Sequence, residues 1–146
     1  YRIGPTGGNG DVPYDFFENT KKTIDFCKRI DEAVGGGGKW AVDLHTRFDT
    51  TDGLKVCKAL ESLEPYFVED IVRSENPEVY RTLRPMTTVP IAVGEQFGDR
   101  WDINPLVEQH LIDYTRVTLP NTGGISELKK LAALCETHYV GMIPHF

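Results

Sequence analysis

Three acids recur at a fixed interval in this sequence. Asp43, Glu69 and Glu95 are 26 residues apart twice over, and each follows a short apolar run: Trp40-Ala41-Val42, Tyr66-Phe67-Val68 and Ile91-Ala92-Val93-Gly94. Carboxylates brought together repel one another, and burial beside apolar strands raises the cost of ionising them. A divalent cation relieves both penalties. A ligand set made only of oxygens suits a hard ion such as Mg²⁺, which keeps water or substrate oxygens in its remaining positions. The plainer alternative is three strand-end acids that cap helices or pair with Arg73, Arg81 or Arg100.

Two histidines stand where they could move protons. His45 lies two residues beyond Asp43, on the same side of the chain if the strand continues that far. His145 follows Gly141-Met142-Ile143-Pro144 at the end of the last apolar run. An imidazole titrates near neutrality and serves as acid or base once oriented. Arg47 could hold a carboxylate or hydroxyls of a substrate, or form a structural salt bridge. His110 and His138 fall in or beside helices and read as surface residues. Asp70, next to Glu69, should face away from it, toward a helix layer.

The elements that must position these groups alternate. Apolar runs at Trp40–Leu44, Tyr66–Val68, Pro90–Val93, Tyr114–Leu119 and Val140–Ile143 begin 26, 24, 24 and 26 residues apart. That interval accommodates one strand, one helix and two short loops. Residues 16–34 carry helical apolar spacing up to the glycines at 35–38. Asp52 is a candidate cap for a second helix, Asn76-Pro77 and Asn104-Pro105 are candidate openings of two more, and Ser126 opens a last one after a turn at 121–124. Residues 1–13 read as an exposed glycine-bearing loop. Such a series predicts parallel βαβ units with right-handed crossovers, hence an α/β fold. In a parallel barrel or sheet the strand C-termini form the mouth where active sites lie. Both a barrel and a doubly wound sheet satisfy the pattern.

Composition excludes several classes. The chain of 146 residues is 40% apolar and 26% charged, with a net charge of −6. No basic face for nucleic acid is visible, and no run approaches the roughly 18 apolar residues of a membrane span. A cytoplasmic protein without membrane or nucleic-acid partners is expected. Cys27, Cys57 and Cys135 lack the spacing of a zinc site and read as buried thiols. The glycines at 35–38 precede a strand instead of following one, so they lack the context of a phosphate loop.

Taken as a set, the motifs resemble the mandelate racemase branch of the enolase superfamily, and within it the acid-sugar dehydratases of mannonate and galactonate type. The resemblance rests on Val42-Asp43-Leu44-His45, Val68-Glu69-Asp70, Thr87-Thr88-Val89-Pro90-Ile91 and Ala92-Val93-Gly94-Glu95. It continues through Arg100-Trp101-Asp102, Leu111-Ile112-Asp113-Tyr114 and Gly123-Gly124-Ile125, covering about residues 16–146.

It implies an incomplete (β/α)7β barrel of about five strands, with residues 1–146 as its central part and an N-terminal capping domain and last barrel segment elsewhere. It further implies one Mg²⁺ on Asp43, Glu69 and Glu95, abstraction of the proton α to a carboxylate, and loss of the β-hydroxyl of a small sugar acid as water. His45 would be the general acid and His145 the general base, and the whole protein would be a homo-oligomer. In relatives with a His–Asp dyad, an aspartate on the preceding strand orients that base; here Asn121 is read as its counterpart, which brings no charge, so a mannonate-type arrangement with the base on another loop stays open. Racemisation or cycloisomerisation on the same scaffold, and a non-catalytic barrel with a structural metal site, are the rival expectations.

Overall fold

The computed structural model describes residues 2–3 and 15–145. Among the described residues, six parallel strands form one sheet: β1 (Arg2–Ile3), β2 (Ala41–Asp43), β3 (Val68–Glu69), β4 (Ile91–Val93), β5 (Tyr114–Thr115) and β6 (Gly141–Met142). Their spatial order is their chain order. A doubly wound sheet reverses direction at a switch point; this one does not, so it is a singly wound segment of a (β/α) barrel. The expected loop at the N-terminus is corrected at residues 2 and 3, which pair with Ala41 and Val42; the rest of that stretch lies outside the described residues.

Helices α1 (Phe16–Val34), α2 (Thr50–Leu60), α3 (Tyr80–Leu83), α4 (Arg100–Glu108) and α5 (Ile125–Thr137) alternate with the strands, one before each of the last five. The first ends where expected, because Gly35 takes the left-handed conformation (φ 78°) and donates its N–H to the Asp31 carbonyl. Three starts differ from expectation. Helix α2 begins at Thr50, with Asp52 inside its first turn beside Lys55. Helix α4 begins at Arg100, capped by the Asp99 carboxylate accepting from the N–H groups of Trp101 and Asp102, which leaves Pro105 in the helix interior. Helix α5 begins at Ile125, one residue before Ser126.

Alternation sorts the strand side chains into two faces. Val42, Val68, Ile91, Val93 and Val117 pack with helix residues such as Val56, Leu60, Leu83, Ile103, Val107 and Leu131 in the main core. The opposite, inner face carries Ala41, Phe67 and Ala92, with Tyr114 and Ile143 against them. Two residues further along each strand, on that same inner face, lie Asp43, Glu69, Gly94, Arg116 and His145. The aromatic rings of Phe67 and Tyr114, 5.7 Å apart, thus form a floor beneath polar groups. No helix among the described residues is long and apolar enough to cross a membrane.

Candidate metal centre

Asp43 and Glu69 are register partners on β2 and β3, and both are buried. Glu95 arrives differently. The register partner of Glu69 on β4 is Ala92, so Glu95 lies three residues beyond it, outside the strand. Gly94 makes the approach possible: its φ is 146°, and a Cβ there would stand 2.8 Å from the Val117 backbone nitrogen. Only a residue without a side chain lets the chain pass that close to β5.

His45 reaches the acids, though not by the continuing strand that was expected. The strand ends at Asp43, and His45 and Thr46 adopt left-handed backbone conformations, φ 52° and 57°. The Asp43 carboxylate accepts the His45 backbone N–H at 2.7 Å and holds this turn. The His45 ring then lies with Nδ1 2.8 Å from Glu95 Oε1 and 3.3 Å from Asp43 Oδ2. His145 approaches the other carboxylate oxygen, its Nε2 3.5 Å from Glu95 Oε2. Arg47 is exposed on the turn beyond His45.

Asp70 corrects an expectation. It faces the acids, because its own left-handed conformation (φ 45°) breaks strand alternation immediately after β3. It is 3% exposed, its Oδ1 accepts the Gly94 N–H at 3.4 Å, and its buried Oδ2 has no hydrogen-bond partner among the described residues. Burial pushes its carboxyl well above the usual carboxylate range; Glu69, Glu95 and Asp43 push the same way, and the Gly94 N–H opposes them.

One partner of the buried Glu69 is a residue sequence reading passed over. Arg116, 8% exposed, places Nε 3.0 Å from Glu69 Oε1 and donates through Nη1 to the Ile143 carbonyl. The arginines considered as alternative partners pair elsewhere: Arg73 with Asp49, Arg81 with Glu78, Arg100 with Glu127. The available signal was the single charge inside the apolar run Tyr114–Leu119. Thr118, two residues on, was passed over for the same reason. It lies in a parallel bridge with His145, and its hydroxyl is 3.2 Å from His145 Nδ1. Asn121, read from sequence as the neighbour of that ring, instead directs its amide N–H at the Glu95 carbonyl, 3.4 Å away.

The donor chemistry fits a hard divalent cation. Ligand atoms of Asp43, His45 and Glu95 lie within 4.8 Å of one another, as do those of Asp43, Glu69 and Asp70. Asp43 belongs to both groups, oxygen donors dominate, and the unpartnered Asp70 Oδ2 leaves negative charge or a proton uncompensated in the interior. The three cysteines are buried and far from this chemistry in character: burial pushes the Cys27 and Cys57 thiols up to about 12.

Residues 5–146 match the family model described as enolase C-terminal domain-like. A D-mannonate dehydratase of Sphingomonas sp. strain SKA58 is 33% identical over 136 residues, covering 90% of this chain and 34% of the relative. A D-galactonate dehydratase family member of Streptomyces bingchenggensis is 39% identical over 116 residues, 80% of this chain and 28% of the relative. Among solved structures, an enolase from Pantoea ananatis with bound D-gluconate and Mg superposes with a TM-score of 0.86 at 29% identity, over 99% of this chain and 35% of that one. The chain therefore spans about a third of the length of the proteins it matches.

Proposed function

The chain belongs to the enolase superfamily, in its mandelate racemase branch, and from that premise we propose that it forms part of a Mg²⁺-dependent lyase that dehydrates an acid sugar. One observation carries the reading: Glu95 is flanked by two imidazoles, His45 Nδ1 at one carboxylate oxygen and His145 Nε2 at the other. Elimination of water needs one group to take a proton and another to give one, and the two rings meet different oxygens of the same acid.

The residues divide as follows. Asp43, Glu69 and Glu95 would hold the cation, which when bound would supply fixed positive charge that lowers the cost of negative charge developing on the substrate. His145 takes the α-proton through Nε2. His45 gives a proton to the β-hydroxyl as its C–O bond breaks, so that water leaves and an enol remains to become the 2-keto acid. Arg47, at the exposed lip, contacts substrate carboxylate or hydroxyls. Support for a sugar acid comes from the dehydratase relatives and from the D-gluconate and Mg bound in the Pantoea ananatis enolase. The remaining barrel strands, a capping domain, a homo-oligomeric state and a cytoplasmic setting belong to the same proposal.

The test is α-proton exchange in D₂O with a panel of aldonic and aldaric acids, with and without Mg²⁺, on the natural full-length protein carrying these residues. Metal-dependent exchange that disappears in Glu95→Gln, accompanied by loss of water from one acid, is the expected result. Binding of Mg²⁺ without exchange on any acid would replace the lyase by a structural metal site.

A further inference from the structure

We propose that Thr118 is a positioning residue that holds His145 as the Nδ1–H tautomer and thereby leaves Nε2 as the nitrogen able to accept a proton. The inference rests on the reading of His145 as the base and adds what orients it.

A count of protons supports it. The Thr118 hydroxyl stands 3.0 Å from the backbone carbonyl of Glu95 and 3.2 Å from His145 Nδ1. A carbonyl oxygen only accepts, and a hydroxyl has one proton. If Thr118 donates to the Glu95 carbonyl, what it offers the ring is a lone pair, so Nδ1 must carry the hydrogen. The chain of donors then runs from His145 Nδ1–H to the Thr118 hydroxyl and on to the Glu95 carbonyl.

The ring's backbone is held as firmly as its side chain. The His145 N–H donates to the Val117 carbonyl at 2.9 Å, and the His145 carbonyl accepts from Leu119 at 3.2 Å. These bonds place the two Cα atoms side by side in the parallel bridge, which leaves few ring orientations open. With Nδ1 engaged, Nε2 is directed at the acid cluster, 3.5 Å from Glu95 Oε2. The same residue, Glu95, thus supplies a carboxylate to the cluster and, through its carbonyl, the end of the relay that orients the base. The opposite arrangement, with Thr118 donating to Nδ1 and Nε2–H facing Glu95, would leave the ring unable to take a proton at the cluster.

Long-range ¹H–¹⁵N spectra of histidine-labelled full-length protein, with Mg²⁺ present and the imidazole neutral, decide between them. The His145 signal is assigned by its loss in His145→Gln. An Nδ1–H pattern in the wild type and in Thr118→Ser, lost in Thr118→Val, is expected. In exchange assays Thr118→Val should then lower kcat roughly 10- to 100-fold, the usual effect of removing the partner that orients a site histidine, with KM little changed and Thr118→Ser restoring the rate. An Nε2–H pattern in the wild type, or a pattern unaltered by Thr118→Val, overturns the proposal. If Thr118→Val does not fold, the wild-type and Thr118→Ser spectra still decide. Absence of exchange in the wild type would remove the lyase reading, while the tautomer remains a separate result.

Discussion

Arg116 and Glu69 form a buried ion pair that reaches across β4, with Nε 3.0 Å from Oε1. Glu69 is fully buried and Arg116 nearly so, so neither charge is relieved by water. The pair makes Glu69 tenable without a cation and also competes with one for the same carboxylate. Replacing Arg116 by Gln should therefore destabilise the metal-free protein by about 3–5 kcal/mol, the usual cost of breaking a buried ion pair by removing one member. Because the acids would then face less positive charge, added Mg²⁺ should restore more stability to Arg116→Gln than to the wild type. Urea unfolding with Mg²⁺ and with chelator measures both; equal Mg²⁺ responses would contradict the competition.

Asp43 is common to both groups of potential ligands, so its carboxylate should matter most for metal binding. A ligand at about 100 times its Kd stabilises the state that binds it by about 2.7 kcal/mol. Wild-type protein should show a gain of that order on adding Mg²⁺, reversed by chelator, and Asp43→Asn should lose most of it. Asp43→Asn retains an oxygen that can accept the His45 N–H, so its unfolding midpoint in chelator should stay close to that of the wild type.

Asp70 gives the metal-free protein a pH dependence with a definite sign. Its carboxyl is raised by burial first and by the neighbouring acids second. The folded state therefore holds this proton to higher pH than the unfolded chain, whose aspartates titrate near pH 4. The stability associated with the proton is present below that value and is lost as pH rises toward the folded-state value. Asp70→Asn keeps an oxygen for the Gly94 N–H and carries no charge, so in chelator it should be more stable than the wild type at pH 7. The difference should shrink as pH falls toward 4. A constant difference across that range would assign the effect to something other than this carboxyl.

The sequence made some of this legible and concealed the rest for identifiable reasons. Helix α1 could be bounded because Gly35 is a C-cap that only a left-handed conformation explains. The start of α4 could not, because Asn104-Pro105 resembles a cap and first turn as well as Asp99 does, and only the fold decides which carboxylate faces the free N–H groups. The spacing of 26 residues singled out Asp43, Glu69 and Glu95, yet equal spacing did not mean equal register. Glu95 lies beyond its strand and comes back through Gly94. Alternation misdirected Asp70 because a single left-handed residue reverses the face. Arg116 and Thr118 were absorbed into an apolar run, where alternation turns both of them inward while Thr115 between Tyr114 and Arg116 meets Cys135 of α5.

Gly94 connects these features. A Cβ at this position would lie 2.8 Å from the Val117 nitrogen and 3.0 Å from the Arg116 carbonyl carbon, with φ at 146°. Backbone atoms of a central strand cannot yield as the tip of a side chain can. Gly94→Ala must strain its own conformation or push β4 and β5 apart, at a combined cost of about 2–4 kcal/mol. Separation of the strands would also move Arg116 away from Glu69 and carry Glu95 away from His145, so the Mg²⁺-dependent gain in stability should fall along with the unfolding midpoint. Gly98→Ala is the matched control, since an added Cβ there meets nothing within 4 Å. It should leave stability unchanged or slightly raised through loss of unfolded-state entropy. Denaturation midpoints of both variants with and without Mg²⁺ provide the check. A Gly94→Ala protein as stable as Gly98→Ala, with the same Mg²⁺ response, would show that β5 can give way without disturbing the acids.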